Sequence, residues 1–152
     1  MSAKPYTPTE AAIAKPVIHV LSKLNTWLYR LTGGRVGGTY VNGVPVLLLT
    51  TTGRKSGRAF TVPLTYMTDG DRYVVAASRR GMDHHPAWYL NLVAHPDVEV
   101  QLGSDVRPMR ASTADDAARA VLWPKLVALN PDYGTYQART TRQVPVVILT
   151  PR

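Results

Sequence analysis

The stretch Thr50-Thr51-Thr52-Gly53-Arg54-Lys55-Ser56-Gly57-Arg58 concentrates the chemistry this chain can offer. It follows the apolar run Val44-Pro45-Val46-Leu47-Leu48-Leu49, so it belongs to the end of a strand. Gly53 and Gly57 permit backbone angles closed to other residues, and three hydroxyls, the turn amides and three cations supply only donors and positive charge. Phosphate is the natural ligand for such a turn. Charge-assisted hydrogen bonds contribute about 1.5 to 3 kcal/mol each, so two or three would dominate the capture of a phosphorylated molecule. The same residues also suit a solvated hairpin turn, because the spacing is not that of a Walker A loop and the lysine is misplaced for one.

A second junction of the same kind follows. The run Arg72-Tyr73-Val74-Val75-Ala76-Ala77 reads as a strand and leads into Ser78-Arg79-Arg80-Gly81-Met82-Asp83-His84-His85-Pro86. If the two strands are neighbours, Arg54, Lys55, Arg79 and Arg80 ring one mouth above a ledge made by Trp88 and Thr61-Val62-Pro63-Leu64. One pocket would then hold charge and a flat ring together. His84 and His85 lack a spaced third ligand or carboxylate and read as an exposed loop rather than a metal site.

The elements that must position these loops follow from periodicity. Residues 1–10, with Pro5 and Pro8, read as an extended arm, and 11–152 as a single domain. Residues 11–31 read as an amphipathic helix: Ile13, Val17, Val20, Leu21, Leu24, Trp27, Leu28 and Leu31 recur at helical spacing, with Lys15, Lys23 and Arg30 at the margins. Strands are predicted over Val44–Thr50, Ala59–Met67, Arg72–Ala77, Val98–Leu102, Val106–Ala111 and Val144–Thr150. Two helices are predicted between them, Pro86–Ala94 and Ala114–Leu129. The second opens on Thr113-Ala114-Asp115-Asp116, a capping-box variant, with a kink expected at Pro124. The fold class is α+β, a largely antiparallel barrel.

Composition narrows the function. Lysine and arginine number 18 against 10 acidic residues, a formal charge of +8, and no acid occurs between Glu10 and Asp69. That half attracts polyanions: nucleic acid, an anionic membrane or a multiply charged cofactor. Nucleic acid fits least, since no helix-turn-helix, zinc-finger or RNA-recognition signature appears. Cysteine is absent, which excludes thiol catalysis, cysteine metal sites and disulfides. Lys15, Pro16, His19, Lys23 and Arg30 interrupt the longest apolar candidate, Ile13 to Leu31, so it cannot span a bilayer. With no secretory signal read, the expected location is the cytoplasm, with the basic helix offering contact to the inner face of the membrane.

Several motifs in one order carry a resemblance: Leu49 through Gly57, Pro63-Leu64, Ala76-Ala77-Ser78, Pro86-x-Trp88-Tyr89-x-Asn91-Leu92 with Pro96, Trp123-Pro124, Tyr133-Gly134-Thr135-Tyr136-Gln137 and Val144-Pro145-Val146-Val147. Together they resemble the deazaflavin-dependent nitroreductase family across nearly the whole chain. The resemblance implies a split β-barrel of the flavin-reductase type, with an N-terminal helix and two or three further helices, that binds coenzyme F420, a 5-deazaflavin on a phospholactyl oligoglutamate tail. By similarity, Arg54, Lys55, Arg58, Arg79 and Arg80, with Thr51, Thr52 and Gly53, lie at the phosphate, while Val62, Pro63, Ala76, Ala77, Ser78, Trp88 and Asn91 frame the ring. Ser78, Tyr133 and Tyr136 match catalytic positions on the acceptor side, and Thr65 and Tyr66 join Tyr133 and Tyr136 around the substrate.

The implied reaction is hydride transfer to a quinone, enone or nitroaromatic, without metal. Rival readings on the same barrel are a coenzyme carrier without turnover and an FMN or haem binder. Three positions depart from the family pattern: Thr65 where close nitroreductases carry tyrosine, Asn130 in place of an aromatic, and Arg79-Arg80 in place of a lysine-glycine loop. A wider or more polar acceptor pocket is expected from the first two, and stiffer backbone from the third. Oligomeric state is not legible.

Overall fold

The computed structural model describes residues 20, 21, 23–35, 37–39 and 43–152. The predicted arm, and the part of the predicted helix before residue 20, lie outside the described residues. What is described begins with α1, helical at 20, 21 and 23–32. There follow β1 (Val46–Thr52), β2 (Ala59–Thr65), β3 (Met67–Asp69), β4 (Arg72–Ala76), a short turn of helix at Arg79–Gly81, α2 (Ala87–Ala94), β5 (Asp97–Leu102), β6 (Asp105–Thr113), α3 (Asp116–Leu129), α4 (Asp132–Ala138) and β7 (Val146–Pro151).

The strands pair antiparallel in the order β2-β1-β5-β6-β7-β4-β3. Tyr66 alone separates β2 from β3, yet these strands sit at opposite edges of the sheet. One bent strand therefore pairs with β1 along its first half and with β4 along its second, and the sheet curls shut. The Tyr66 N–H reaches the Pro45 carbonyl at 3.2 Å, fastening the bend. The sequence shows Ala59–Met67 as a single strand because the alternation runs on unbroken; the break at Tyr66 comes from a change of partner, which local pattern does not record. This is the split barrel of the flavin-reductase type that the resemblance implies.

Alternation then divides the core. Leu47, Leu49, Val75, Ala77, Val98, Val100, Met109, Ala111, Val147 and Leu149 fill the barrel with Trp88 and Leu92 of α2. Val74, Ala76, Val146 and Ile148 face the other way and bury against Leu122 and Leu126 of α3 and Tyr133 of α4. Val46 and Leu48 meet Tyr29 of α1. Strands covered on both faces are continuous apolar runs, which is how Val46-Leu47-Leu48-Leu49 reads.

Two helices differ from expectation in their attachments. Asp115 caps α3, its carboxylate accepting from the Ala118 N–H at 2.8 Å, so the cap falls two residues after Thr113; Pro124 sits within a helix that continues to Leu129. On α1 the packed face is Thr26 and Tyr29, whereas Val20, Leu21, Leu24, Trp27 and Leu31 are exposed. The Tyr29 hydroxyl accepts from the Gly103 N–H at 2.7 Å and donates to the Gln101 carbonyl at 3.3 Å. A buried tyrosine needs partners for its hydroxyl, and the β5–β6 turn supplies them, which orients the helix against its own apolar stripe.

Candidate functional site

β1 and β4 are not neighbours, contrary to the condition under which their loops would meet: β5, β6 and β7 lie between them. Four antiparallel pairings separate the two strands, however, and an even number of reversals leaves them running the same way. Both cationic loops consequently leave the same end of the barrel. α2 closes that end and fastens both, because the second loop runs into its Pro86 N-cap and Asn91 in its middle holds the first. The Asn91 amide donates to Thr51 Oγ1 at 3.2 Å, and its carbonyl accepts from the Arg54 N–H at 3.1 Å. Asn91 and Thr51 are buried, so this amide's polarity is spent on positioning the turn.

The first turn closes on itself, with Gly53 N–H to the Arg58 carbonyl at 2.7 Å and Gly57 N–H to the Gly53 carbonyl at 2.9 Å. A Cβ on Gly53 would lie 2.7 Å from the Phe60 ring and from Ser56 Oγ, which is why glycine stands there. Thr52 is half-buried at the strand end, and Arg54, Lys55 and Arg58 are exposed. In the second loop Ser78 is right-handed (φ −78°, ψ −34°), while Arg79, Arg80 and Gly81 have φ of +45°, +53° and +80°. A right-handed residue followed by a left-handed one turns successive N–H groups into a shared concavity, a nest for an anion. The N–H groups of Ser78 and Arg79 make no hydrogen bond among the described residues. Two non-glycine residues in the left-handed region cost about 1 to 2 kcal/mol each, and such strain collects at functional sites. None of Arg54, Lys55, Arg58, Arg79 and Arg80 forms an ion pair among the described residues.

Of the residues expected on the acceptor side, Thr65, Tyr133 and Tyr136 come together on the outer face of the sheet. Val62 and Leu64 pack toward the barrel interior, so Thr61, Pro63 and Thr65 face outward. The Thr65 hydroxyl is hydrogen-bonded to the Tyr133 hydroxyl across the gap between β2 and α4. Tyr133 is buried, with Trp123 and Tyr136 rings 6.3 and 6.4 Å away, the latter edge-on as expected for residues one helical turn apart. Ala76 shares this face through its packing with Tyr133. Val62, Ala77 and Trp88 belong instead to the barrel interior, and Tyr66 turns away from Tyr133 to stack edge-on with Tyr73 at 5.5 Å. Burial first, then Tyr29 and Tyr73, push the Tyr66 phenol above its ordinary pKa. Asn130, expected to make the pocket more polar, is buried at the α3–α4 junction, where its side-chain carbonyl accepts from the Asp132 N–H at 3.2 Å.

Three contributors escaped the sequence. Arg142 reaches back into the second loop, hydrogen-bonding its backbone at several points. Gln137 joins Arg119, Arg142 and Val144 into one network behind α4. Gly81 packs against the Tyr136 backbone. A glycine following two arginines is a readable turn signal; Arg142, in the polar run Thr140-Thr141-Arg142-Gln143, carries none. The Arg142 guanidinium, which has only donors, donates to His85 Nδ1 at 3.2 Å, and burial first, then that guanidinium, hold His85 below its ordinary pKa. Among the described residues no cluster of histidine and carboxylates could hold a metal.

The family model that matches residues 21–151 is that of F420H(2)-dependent quinone reductase. The chain is 42% identical over 135 residues to F420H(2)-dependent quinone reductase Rv1261c of Mycobacterium tuberculosis, covering 87% of this chain and 91% of that protein. Among solved structures it is similar to an F420-H2 dependent reductase, FDR-A (40% identity, TM-score 0.64, 69% of this chain and 93% of that one). It is also similar to a chain described as a domain-swapped dimer (33% identity, TM-score 0.67, 94% and 99%). The chain therefore belongs to the F420H(2)-dependent quinone reductase family, oxidoreductases that use reduced coenzyme F420.

Proposed function

We propose that the tail phosphate of reduced coenzyme F420 is held between the two cationic turns, with the ring extending along the outer face past Pro63 and Ala76, and that a quinone stands against Thr65, Tyr133 and Tyr136. One observation carries this reading: five cations and a nest of N–H groups that have no acidic or carbonyl partner among the described residues flank the same helix at one end of the barrel. The donor set fits the group, since a phosphate with carboxylates beyond it accepts hydrogen bonds and carries charge of the opposite sign. Arg54, Lys55 and Arg58 on one side and Arg79 and Arg80 on the other would hold it. When bound, the deazaflavin supplies the hydride; the protein supplies place, polarity and a proton.

The Thr65–Tyr133 hydroxyl pair is the proton-bearing element. Negative charge that develops on an acceptor oxygen is stabilised by an oriented hydroxyl in a water-poor wall, and Thr65 keeps the phenol aimed. Tyr133→Phe and Thr65→Val are each expected to lower turnover about 10- to 100-fold while coenzyme affinity stays within about twofold. Equal turnover in both would reduce the pair to packing. The activity itself is tested with purified protein, reduced coenzyme and menadione: oxidation of the coenzyme is expected on adding protein, and its absence with menadione and an enone alike would remove the reductase reading in favour of a carrier.

The exposed face of α1 supports a second assignment, peripheral contact with an anionic bilayer. Val20, Leu24, Trp27 and Leu31 are 63, 51, 59 and 67% exposed, and Lys23 and Arg30 flank them. No helix among the described residues is long and apolar enough to cross a membrane, so the contact would lie in the interface. Co-sedimentation with anionic vesicles is expected for the native chain and lost in Trp27→Asp/Leu31→Asp; equal recovery of both would rule it out.

A further inference from the structure

We propose that Arg142 is the positioning residue of the phosphate site: by gripping the carbonyls behind the second cationic turn, it aims that turn's N–H groups at the coenzyme. The inference rests on the reading of the site given above.

The Arg142 guanidinium donates to the Ser78 carbonyl at 2.7 Å, the Ala77 carbonyl at 3.2 Å and the Met82 carbonyl at 2.8 Å, and to His85 Nδ1 at 3.2 Å. In a trans peptide the N–H points opposite to its C=O. The Ala77–Ser78 and Ser78–Arg79 peptides both turn their oxygens toward Arg142, so the N–H groups of Ser78 and Arg79 face away from it. Neither of these N–H groups finds a partner among the described residues. A planar fork with five donors can hold several carbonyls at once; a lysine ammonium cannot reproduce that geometry.

The position of the strain agrees. Arg79 and Arg80 hold left-handed angles that an arginine does not choose, and such conformations persist only where surroundings over-determine them. Arg142 constrains the turn from one side at Ala77, Ser78 and Met82, and α4 constrains it from another, since Gly81 abuts the Tyr136 backbone and Arg139 donates to the Arg80 carbonyl at 3.4 Å. Arg142 is itself fixed by the Gln137 amide on its carbonyl at 2.8 Å. It is partly buried, and burial and nearby Arg79 both disfavour its charge while Asp83 favours it. A second guanidinium placed beside Arg79 raises the positive potential behind the nest, which an arriving phosphate relieves.

The test compares Arg142→Gln and Arg142→Lys with the native chain in three measurements: titration with coenzyme F420, trypsin cleavage after Arg79 and Arg80, and steady-state reduction of menadione. Both variants are expected to bind coenzyme about tenfold more weakly or worse, with its KM rising more than kcat falls. Both are expected to be nicked at Arg79 or Arg80 under conditions that leave the native chain whole, and saturating coenzyme should slow that cleavage. If glutamine prevents folding, lysine, which keeps the charge and loses the fork, decides the matter. Native affinity and native resistance in a folded variant would overturn the assignment of Arg142 alone. A native chain that fails to bind the coenzyme would instead overturn the site reading, and with it this role, even if the variants are cleaved.

Discussion

Gly81→Ala is expected to destabilise the fold by about 2 to 5 kcal/mol and to abolish measurable coenzyme capture. A Cβ at this position would stand 2.4 Å from the Tyr136 carbonyl oxygen and 2.9 Å from Tyr136 Cα and Arg139 Cβ, in a residue whose φ is +80°. The nearest contact is helical backbone, which cannot rotate aside as a side chain can. Relief requires the second cationic turn to back away from α4, and that movement would displace the nest and loosen Tyr136 together. Gly57→Ala is the matched comparison: its φ is +70° but nothing lies within 4 Å of the added carbon. It should show only the backbone strain, about 1 to 2 kcal/mol. Denaturant unfolding of the two variants, with coenzyme titration of each, separates the effects. Equal losses would mean that Gly81 is not wedged against α4.

Arg54→Ala/Lys55→Ala is expected to weaken coenzyme binding by about 100-fold or more while leaving stability within about 0.5 kcal/mol. Both side chains are exposed and neither forms an ion pair among the described residues, so the folded protein loses little when they go. A phosphate loses two charge-assisted contacts of about 1.5 to 3 kcal/mol each. The single variants should each be weaker by about tenfold, and the native affinity should fall with added salt more steeply than that of the double variant. Fluorescence titration at two salt concentrations, alongside thermal melts, is sufficient. Unchanged affinity in the double variant would place the phosphate elsewhere.

These two substitutions differ in what made them visible. Arg54 and Lys55 announce themselves because glycines bracket a run of donors after an apolar strand, a pattern wholly local in the chain. The wedge at Gly81 depends on Tyr136, 55 positions later, and no local pattern links them. The same division runs through the helices. The spacing of Tyr133 and Tyr136 was enough to put both rings on one side of a helical turn, as α4 has them. Spacing marks the apolar stripe of α1 but not the face that packs, because the partners of the Tyr29 hydroxyl come from the β5–β6 turn. Asn91, which the resemblance puts at the ring, lies buried between Thr51 and Arg54; its residue type suggests hydrogen bonding, but only the seating of α2 says with what.

By itself the chain determined where the strands fall, save for the break at Tyr66, and with them the two cationic turns, the tyrosine pair and the family to which they point, since each depends on residues near one another in sequence. Tertiary structure decided that β1 and β4 deliver their loops to one rim without being neighbours, that Tyr66 closes the barrel, and that Thr65 meets Tyr133. It also brought Arg142 behind the nest. Those outcomes follow from which strand edges pair when a seven-stranded sheet curls and from backbone groups that must find partners once buried, and both are set by distant segments.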